Sequence, residues 1–225
     1  MQRHLGLPAH LLVTSSVTWS GIAEVVDLLR LERGASLLDL ACGRGGHGQE
    51  IAARTGSLLV GVDFSPEAVR QATERAAERG IAASYAVGDL TDTGLPDAAC
   101  DAALVVDSIQ FAERPERAFA EIRRVLRDGG RVVLTGWEAS VRGDDHVPAR
   151  LRDLDVGESL REAGFADVDV QDRPDWRKAE LRMWAEAAAL DPGDDPALVS
   201  FHDEGVRSLR APEALRRVLA SGTSP

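Results

Sequence analysis

Four aspartates mark where chemistry could happen in this chain. Asp39, Asp63, Asp89 and Asp107 each lie at or just after the end of an apolar run. The first sits in Leu37-Leu38-Asp39-Leu40-Ala41-Cys42-Gly43-Arg44-Gly45-Gly46-His47-Gly48, where an apolar run gives way to closely spaced glycines and then to a helical pattern. That order predicts strand, tight turn, helix. Glycine lets the backbone approach a ligand closely and adopt positive φ, and the helix that follows turns its free N–H groups toward the turn. A nucleotide-like ligand is the expected guest. Two frames fit the turn. Gly43 to Gly48 matches G-x-G-x-x-G, the dinucleotide fingerprint. Asp39 to Gly45 instead reads Asp-x-Ala-x-Gly-x-Gly.

The remaining candidate groups are sparse. The histidines are His4, His10, His47, His146 and His202. Cys42 and Cys100 lack C-x-x-C spacing, so neither a zinc site nor a disulfide framework is indicated. Asp144-Asp145 is an acidic loop pair, and the chain has no asparagine to complete an oxygen-ligand set. No metal is expected.

These residues need a scaffold, and the patterning supplies one. Thr18 caps a helix reaching about Leu31, with Ile22, Val25, Val26, Leu28 and Leu29 as its apolar face. Strands are expected at 36–41, 58–63, 83–87, 102–106 and 131–137. Between them fall helices at 46–55, from Pro66 to Arg79 behind Ser65, and from Pro115 to Leu126. Asp128-Gly129-Gly130 closes the last of these. Residues 138–150 form a loop. A helix at 155–163, a strand at 165–172 and helices at 174–190 and 196–209 follow, separated by the break Asp191 to Pro196. Leu215 to Ser221 fits helix or strand. Strands alternating with helices imply a doubly wound, mostly parallel α/β sheet.

Composition bounds the rest. With 225 residues, 44% hydrophobic and 28% charged, one domain with a sizeable core is expected. The net charge of −11 without a basic stripe makes nucleic acid a poor partner. No run approaches membrane-spanning length and no signal-peptide core is visible, so a cytoplasmic protein is the default. Oligomeric state is open.

Five ordered segments resemble the class I S-adenosylmethionine (SAM)-dependent methyltransferases. They are Asp39 to Gly45; Gly61-Val62-Asp63-Phe64-Ser65; Gly88-Asp89-Leu90 with Leu95-Pro96 and Cys100-Asp101; Ala118 to Thr135; and Glu162-Ala163-Gly164-Phe165. Together they cover about 36–172 and favour the second frame of the turn, with Ala41 in place of the family's first glycine. The segment Asp107-Ser108-Ile109-Gln110-Phe111 is similar to that of small-molecule methyltransferases of bacterial secondary metabolism. The resemblance implies a Rossmann-like seven-stranded sheet with one antiparallel strand, Leu215 to Ser221 as a strand in the final hairpin, and a helical lid near the C-terminus. Residues 34–137 become the cofactor half of one domain spanning 1–225, and 138–225 the acceptor half and lid.

The resemblance also implies SAM as cofactor, S-adenosylhomocysteine as product and a small-molecule acceptor, apolar to judge from the lid's Trp176, Met183 and Trp184. Asp63 takes the ribose hydroxyls. Asp89 and Leu90 take the adenine. Phe64 packs on the adenine or on the sheet. Asp39 holds the turn or faces the ligand's ammonium group. Ala41, Cys42, Gly43 and Gly45 form the turn, and Asp107 and Ser108 line the methionine end. Trp19 either packs on the core or closes over the cofactor with the segment 10–20. His146, in the loop after the fifth strand, is the candidate base, with His202 second. The alternatives are a non-methylating SAM-binding protein on the same fold, such as a cyclase or binding subunit, and an NAD-dependent oxidoreductase using the first frame.

Overall fold

The computed structural model describes residues 2–11, 13 and 15–225. Its centre is a seven-stranded sheet in the order β3-β2-β1-β4-β5-β7-β6. The strands are β1 (Ser36–Leu40), β2 (Leu58–Asp63), β3 (Ala83–Val87), β4 (Cys100–Val106), β5 (Leu126–Ala139), β6 (Ala166–Asp172) and β7 (Leu215–Thr223). The first five pair in parallel, and β7 runs antiparallel between β5 and β6. The segment that fits helix or strand in isolation is therefore a buried strand.

The helices are α1 (Gln2–Leu5), α2 (Trp19–Leu29), α3 (Gly46–Thr55), α4 (Pro66–Arg79), α5 (Pro115–Val125), α6 (Ala149–Arg152), α7 (Val156–Glu162), α8 (Pro174–Ala188) and α9 (Pro196–Ser208). The expected starts hold locally. Thr18 accepts from the Gly21 amide, Ser65 from Ala68 with Pro66 behind it, and Asp155 from Glu158. Because helices cover both faces, the central strands are mostly apolar, with Asp39 in β1 and Asp101 in β4 as exceptions. Leu38, Leu40, Val105 and Phe119 pack on one side; Leu37, Leu104, Ile22 and Trp176 pack on the other.

Three expectations change. Gly129-Gly130 does not cap a helix. Here α5 ends at Val125, Leu126 is already extended and pairs with Cys100, and the next register pair is Ala102 with Arg131. The extra residues loop out as an irregularity within β5, with Gly129 at φ 78°. Residues 138–150, read as a loop, contain the end of β5 and the start of α6. The N-terminal residues, for which no element was expected, bury Leu5, Leu7, Leu11 and Val17 against α2 and α8. Leu12 and Thr14, within the segment suggested as a lid, lie outside the described residues.

Candidate functional site

The strand order reverses between β1 and β4, so their carboxyl ends open a crevice at the topological switch point. The turn after β1 builds its floor. Ala41 is left-handed (φ 58°), as is Gly43 (φ 53°). At Ala41 an alanine fills a position that glycine occupies without strain. Gly48, in the first turn of α3, lies so close to β1 that an added Cβ would stand 2.4 Å from Asp39 Oδ2. That approach lets the Gly48 amide donate to Asp39 at 3.1 Å. Burial pushes the Asp39 carboxyl up to about 7, against this bond and with help from the charge of Asp63.

Asp63 is the second anchor. Its Oδ2 accepts from the Gly43 amide at 2.8 Å and its Oδ1 from the Ser65 amide at 2.9 Å. It is 6% exposed, not the exposed strand-end acid its position suggests. A carboxylate has about four acceptor sites. Two hold the backbone and two remain for a ligand.

Two adjoining cavities share Ala41, Asp63, Phe64, Ser108 and Phe111. The outer one, about 570 Å³, is also lined by Asp89, Leu90, Arg114 and Arg117. There Asp89 Oδ1 accepts from the Thr91 amide and hydroxyl at 2.7 and 2.6 Å. Phe64 is 78% exposed and packs on neither sheet face. The inner cavity, about 560 Å³, takes in Asp39, Cys42, Gly43, His47 and Asp107, then Gln110, Trp137, Glu180 and Trp184. Burial raises the Cys42 thiol, with Asp39 and Asp63 adding to the effect, so it stays protonated.

Three expected residues sit otherwise. Gly45 lines neither cavity. It is the N-cap of α3 and lies behind the turn, where an added Cβ would meet Gln49 Nε2 at 2.7 Å and the Tyr85 hydroxyl at 2.8 Å. Trp19 lines neither cavity; it is half-exposed beneath the Arg54 guanidinium, 4.1 Å from the ring centre. Asp107 lines the inner cavity, but its carboxylate is engaged elsewhere. Arg217 donates to it twice, at 2.5 and 2.7 Å, and the Thr135 hydroxyl and Ser16 amide complete its partners.

That engagement reveals a group that strand periodicity alone does not place. Arg217 on β7 is fully buried. Besides Asp107 it approaches Glu180 of α8, Nε to Oε2 at 3.2 Å. The Trp137 and Trp184 indoles donate to Glu180 Oε1 at 3.3 and 3.2 Å. Burial works to raise Asp107, but the Arg217 charge and bonds outweigh it and hold the carboxyl below its ordinary value. For Glu180 burial prevails over Arg217, and its carboxyl rises. Arg217 is raised in turn, its two acids outweighing burial. The signal for Glu180 was an acid spaced four residues from Trp176 and Trp184 on one helix face. Arg216-Arg217 gave no such signal, because a strand turns one of two neighbours inward and the pair itself does not say which.

His47 opens α3 beside this group. Its Nδ1 is 3.1 Å from the Ser15 hydroxyl, and its buried Nε2 has no hydrogen-bond partner among the described residues. Burial lowers its pKa to about 4, so it is neutral at pH 7. Ser108 Oγ and Gln110 Oε1, in the same cavity, are buried and unpartnered too. Unsatisfied buried polar atoms are costly, and their gathering here marks where a polar ligand would bind.

A third chamber, about 670 Å³, continues outward past Trp137, Glu180 and Trp184 to α6 and α9. His146 lines it from the rim. Its side chain is 83% exposed and its Nδ1 lies 2.9 Å from Asp144. His202, on α9, is beside Asp203 and outside the chamber lining. No helix among the described residues is long and apolar enough to cross a membrane.

Comparison with known proteins follows the same outline. The family described as "Methyltransferase domain" matches residues 38–134. Phosphoethanolamine N-methyltransferase of Triticum aestivum is 30% identical over 190 residues, 80% of this chain and 37% of its own length. Sterol methyltransferase-like 2 of Botryococcus braunii is 29% identical over 70% of this chain and 39% of its own. The chain thus spans well under half the length of these curated relatives. Among solved structures, the [4+2]-cyclase SpnF superposes with a TM-score of 0.73 at 25% identity, covering 94% of this chain and 83% of that one. Phosphoethanolamine N-methyltransferase 2 of Haemonchus contortus, complexed with phosphomonomethylethanolamine and S-adenosylhomocysteine, gives 0.79 at 20% identity, covering 95% and 54%.

Proposed function

We propose that the chain, whose residues 38–134 match a methyltransferase domain, is a class I SAM-dependent methyltransferase that moves a methyl group from SAM to a small molecule held in the inner chamber and the third one beyond it. The observation that carries this is the continuity of the cleft. The glycine turn, Asp63 and Asp89 occupy one end, and Glu180, Trp137 and Trp184 the other. In this proposal the two spare acceptor sites of Asp63 take the ribose hydroxyls. Asp89 and Leu90 meet the adenine, with the exposed Phe64 ring closing on it. Ala41, Cys42 and Gly43 pass beneath the ligand, and Asp39 faces its ammonium group. Ser108 and the Asp107 backbone line the methionine end.

SAM carries an activated sulfonium, so the protein's work is positioning and exclusion of water. A group that takes a proton helps where the acceptor must lose one. Glu180, buried in the chamber wall, suits that task better than His146 at the rim. A role in natural-product biosynthesis is part of the proposal. The likeness to the cyclase SpnF supports it, and also supports a second reading in which the chain binds SAM without methylating.

Calorimetry with SAM, S-adenosylhomocysteine and NAD tests the cofactor. Micromolar-range binding of the first two without NAD is expected; preferred NAD binding would sink the proposal. Incubation of a metabolite panel with methyl-labelled SAM separates the two readings. Methylation gives labelled product and S-adenosylhomocysteine in equal amounts, whereas cyclisation leaves SAM unconsumed.

A further inference from the structure

The inner chamber has an uneven charge. Asp107, Arg217 and Glu180 form one buried array with two acids and one base. Arg217 gives Asp107 two good hydrogen bonds, while its approach to Glu180 at 3.2 Å falls outside hydrogen-bonding geometry, and Glu180 Oε2 has no hydrogen-bond partner among the described residues. The array therefore carries about one net negative charge in a water-poor site, the costly situation that a bound cation relieves. Of the rings that line the same space, Phe111 already lies under the Arg150 guanidinium and Trp137 under that of Arg217, at 5.2 and 5.5 Å from the ring centres, which leaves the Trp184 ring beside Glu180. Aromatic faces beside a carboxylate recognise ammonium groups. Around it, Arg207 pairs with Glu204 and Arg152 with Asp145. Arg150 and Arg210 have no ion-pair partner among the described residues, and they suit an acceptor whose amine is accompanied by an anionic group.

We propose that the methyl acceptor is a small amine bound as its ammonium form, with the Glu180 carboxylate as counter-ion and proton acceptor. This rests on the methyltransferase reading and names its substrate class. The apolar lid residues that suggested an apolar acceptor face inward differently than their composition implied: Trp176 is buried against α2, and the Trp184 indole is turned onto Glu180. In the reaction a proton leaves nitrogen for Glu180 Oε2. The freed lone pair forms the N–C bond to the SAM methyl carbon as the C–S bond breaks. Sulfur keeps that bonding pair and becomes the neutral thioether of S-adenosylhomocysteine, and Glu180 later returns its proton to solvent.

The test compares choline with its neutral isostere 3,3-dimethyl-1-butanol by calorimetry, on protein with and without S-adenosylhomocysteine. Choline should bind at least about tenfold more tightly, and Glu180→Gln should abolish the preference while circular dichroism stays unchanged. Equal binding of the two probes to the parent overturns the proposal without any variant. A preference that survives in a folded Glu180→Gln overturns the role of Glu180. Absence of S-adenosylhomocysteine binding with the choline preference intact would instead count against the methyltransferase reading.

Discussion

Replacing Asp63 probes the turn and the ligand site together. Its carboxylate accepts from the Gly43 and Ser65 amides at 2.8 and 2.9 Å and is nearly enclosed. In Asp63→Ala both amides lose their acceptor, and each unsatisfied buried donor costs about 1–3 kcal/mol. The sum is about 2–6 kcal/mol. At about 2–4 °C per kcal/mol for a chain of this size, Tm should fall by roughly 5–20 °C. The two spare acceptor sites vanish as well, so SAM should bind at least about tenfold more weakly. Asp63→Asn offers one acceptor and turns an NH₂ toward the second amide, so it should fall between parent and alanine in both respects. Thermal unfolding and calorimetry on the same preparations give the two numbers. A lowered Tm with parental SAM affinity would refute the ribose assignment. An unchanged Tm would refute the account of the turn itself.

Three further predictions concern the surrounding residues. Ala41→Gly relieves a left-handed alanine and should raise stability by about 0.5–1 kcal/mol in urea unfolding, the unfolded-chain entropy of glycine offsetting part of the gain. Arg217→Leu leaves Asp107 and Glu180 as unpaired buried acids and should cost about 3–5 kcal/mol at pH 7. With both folded pKa values then above their unfolded ones, that loss should shrink as pH falls and the acids protonate; a pH-independent loss would contradict the array. His47 has a folded pKa near 4 against an ordinary 6.5. Its neutral burial therefore stabilises the fold above pH 6.5, and about 3 kcal/mol of that is lost as pH falls toward 4. Asp39, raised from 3.8 to about 7, contributes the opposite slope over nearly the same range, so the effect should be read as the difference between parent and His47→Gln. Equal acid sensitivity of the two proteins would show that His47 protonates freely.

Much of this molecule was legible in its residues because the information was local. Ser65-Pro66 starts a helix through its own side chain and ring, and the apolar run Leu58 to Val62 forms a strand that is buried from Leu59 onward except for the half-buried Val60. The glycine turn and Asp63 follow from the order of strand, acid and glycine within short stretches, so this end of the cleft could be placed before any coordinates. Tertiary structure alone decided the other end. Arg217 and Asp107 are separated by 110 positions, and Glu180 belongs to a third element. Nothing in one strand says that Arg217 rather than Arg216 faces inward, since that depends on the antiparallel register of β7 against β5. Trp19 and Gly45 mark the converse limit. Each has a residue type and position suited to a ligand site, yet packing turned Trp19 under Arg54 and placed Gly45 behind its own turn. Local chemistry states what a side chain can do; the direction in which it points is set by contacts distant in sequence.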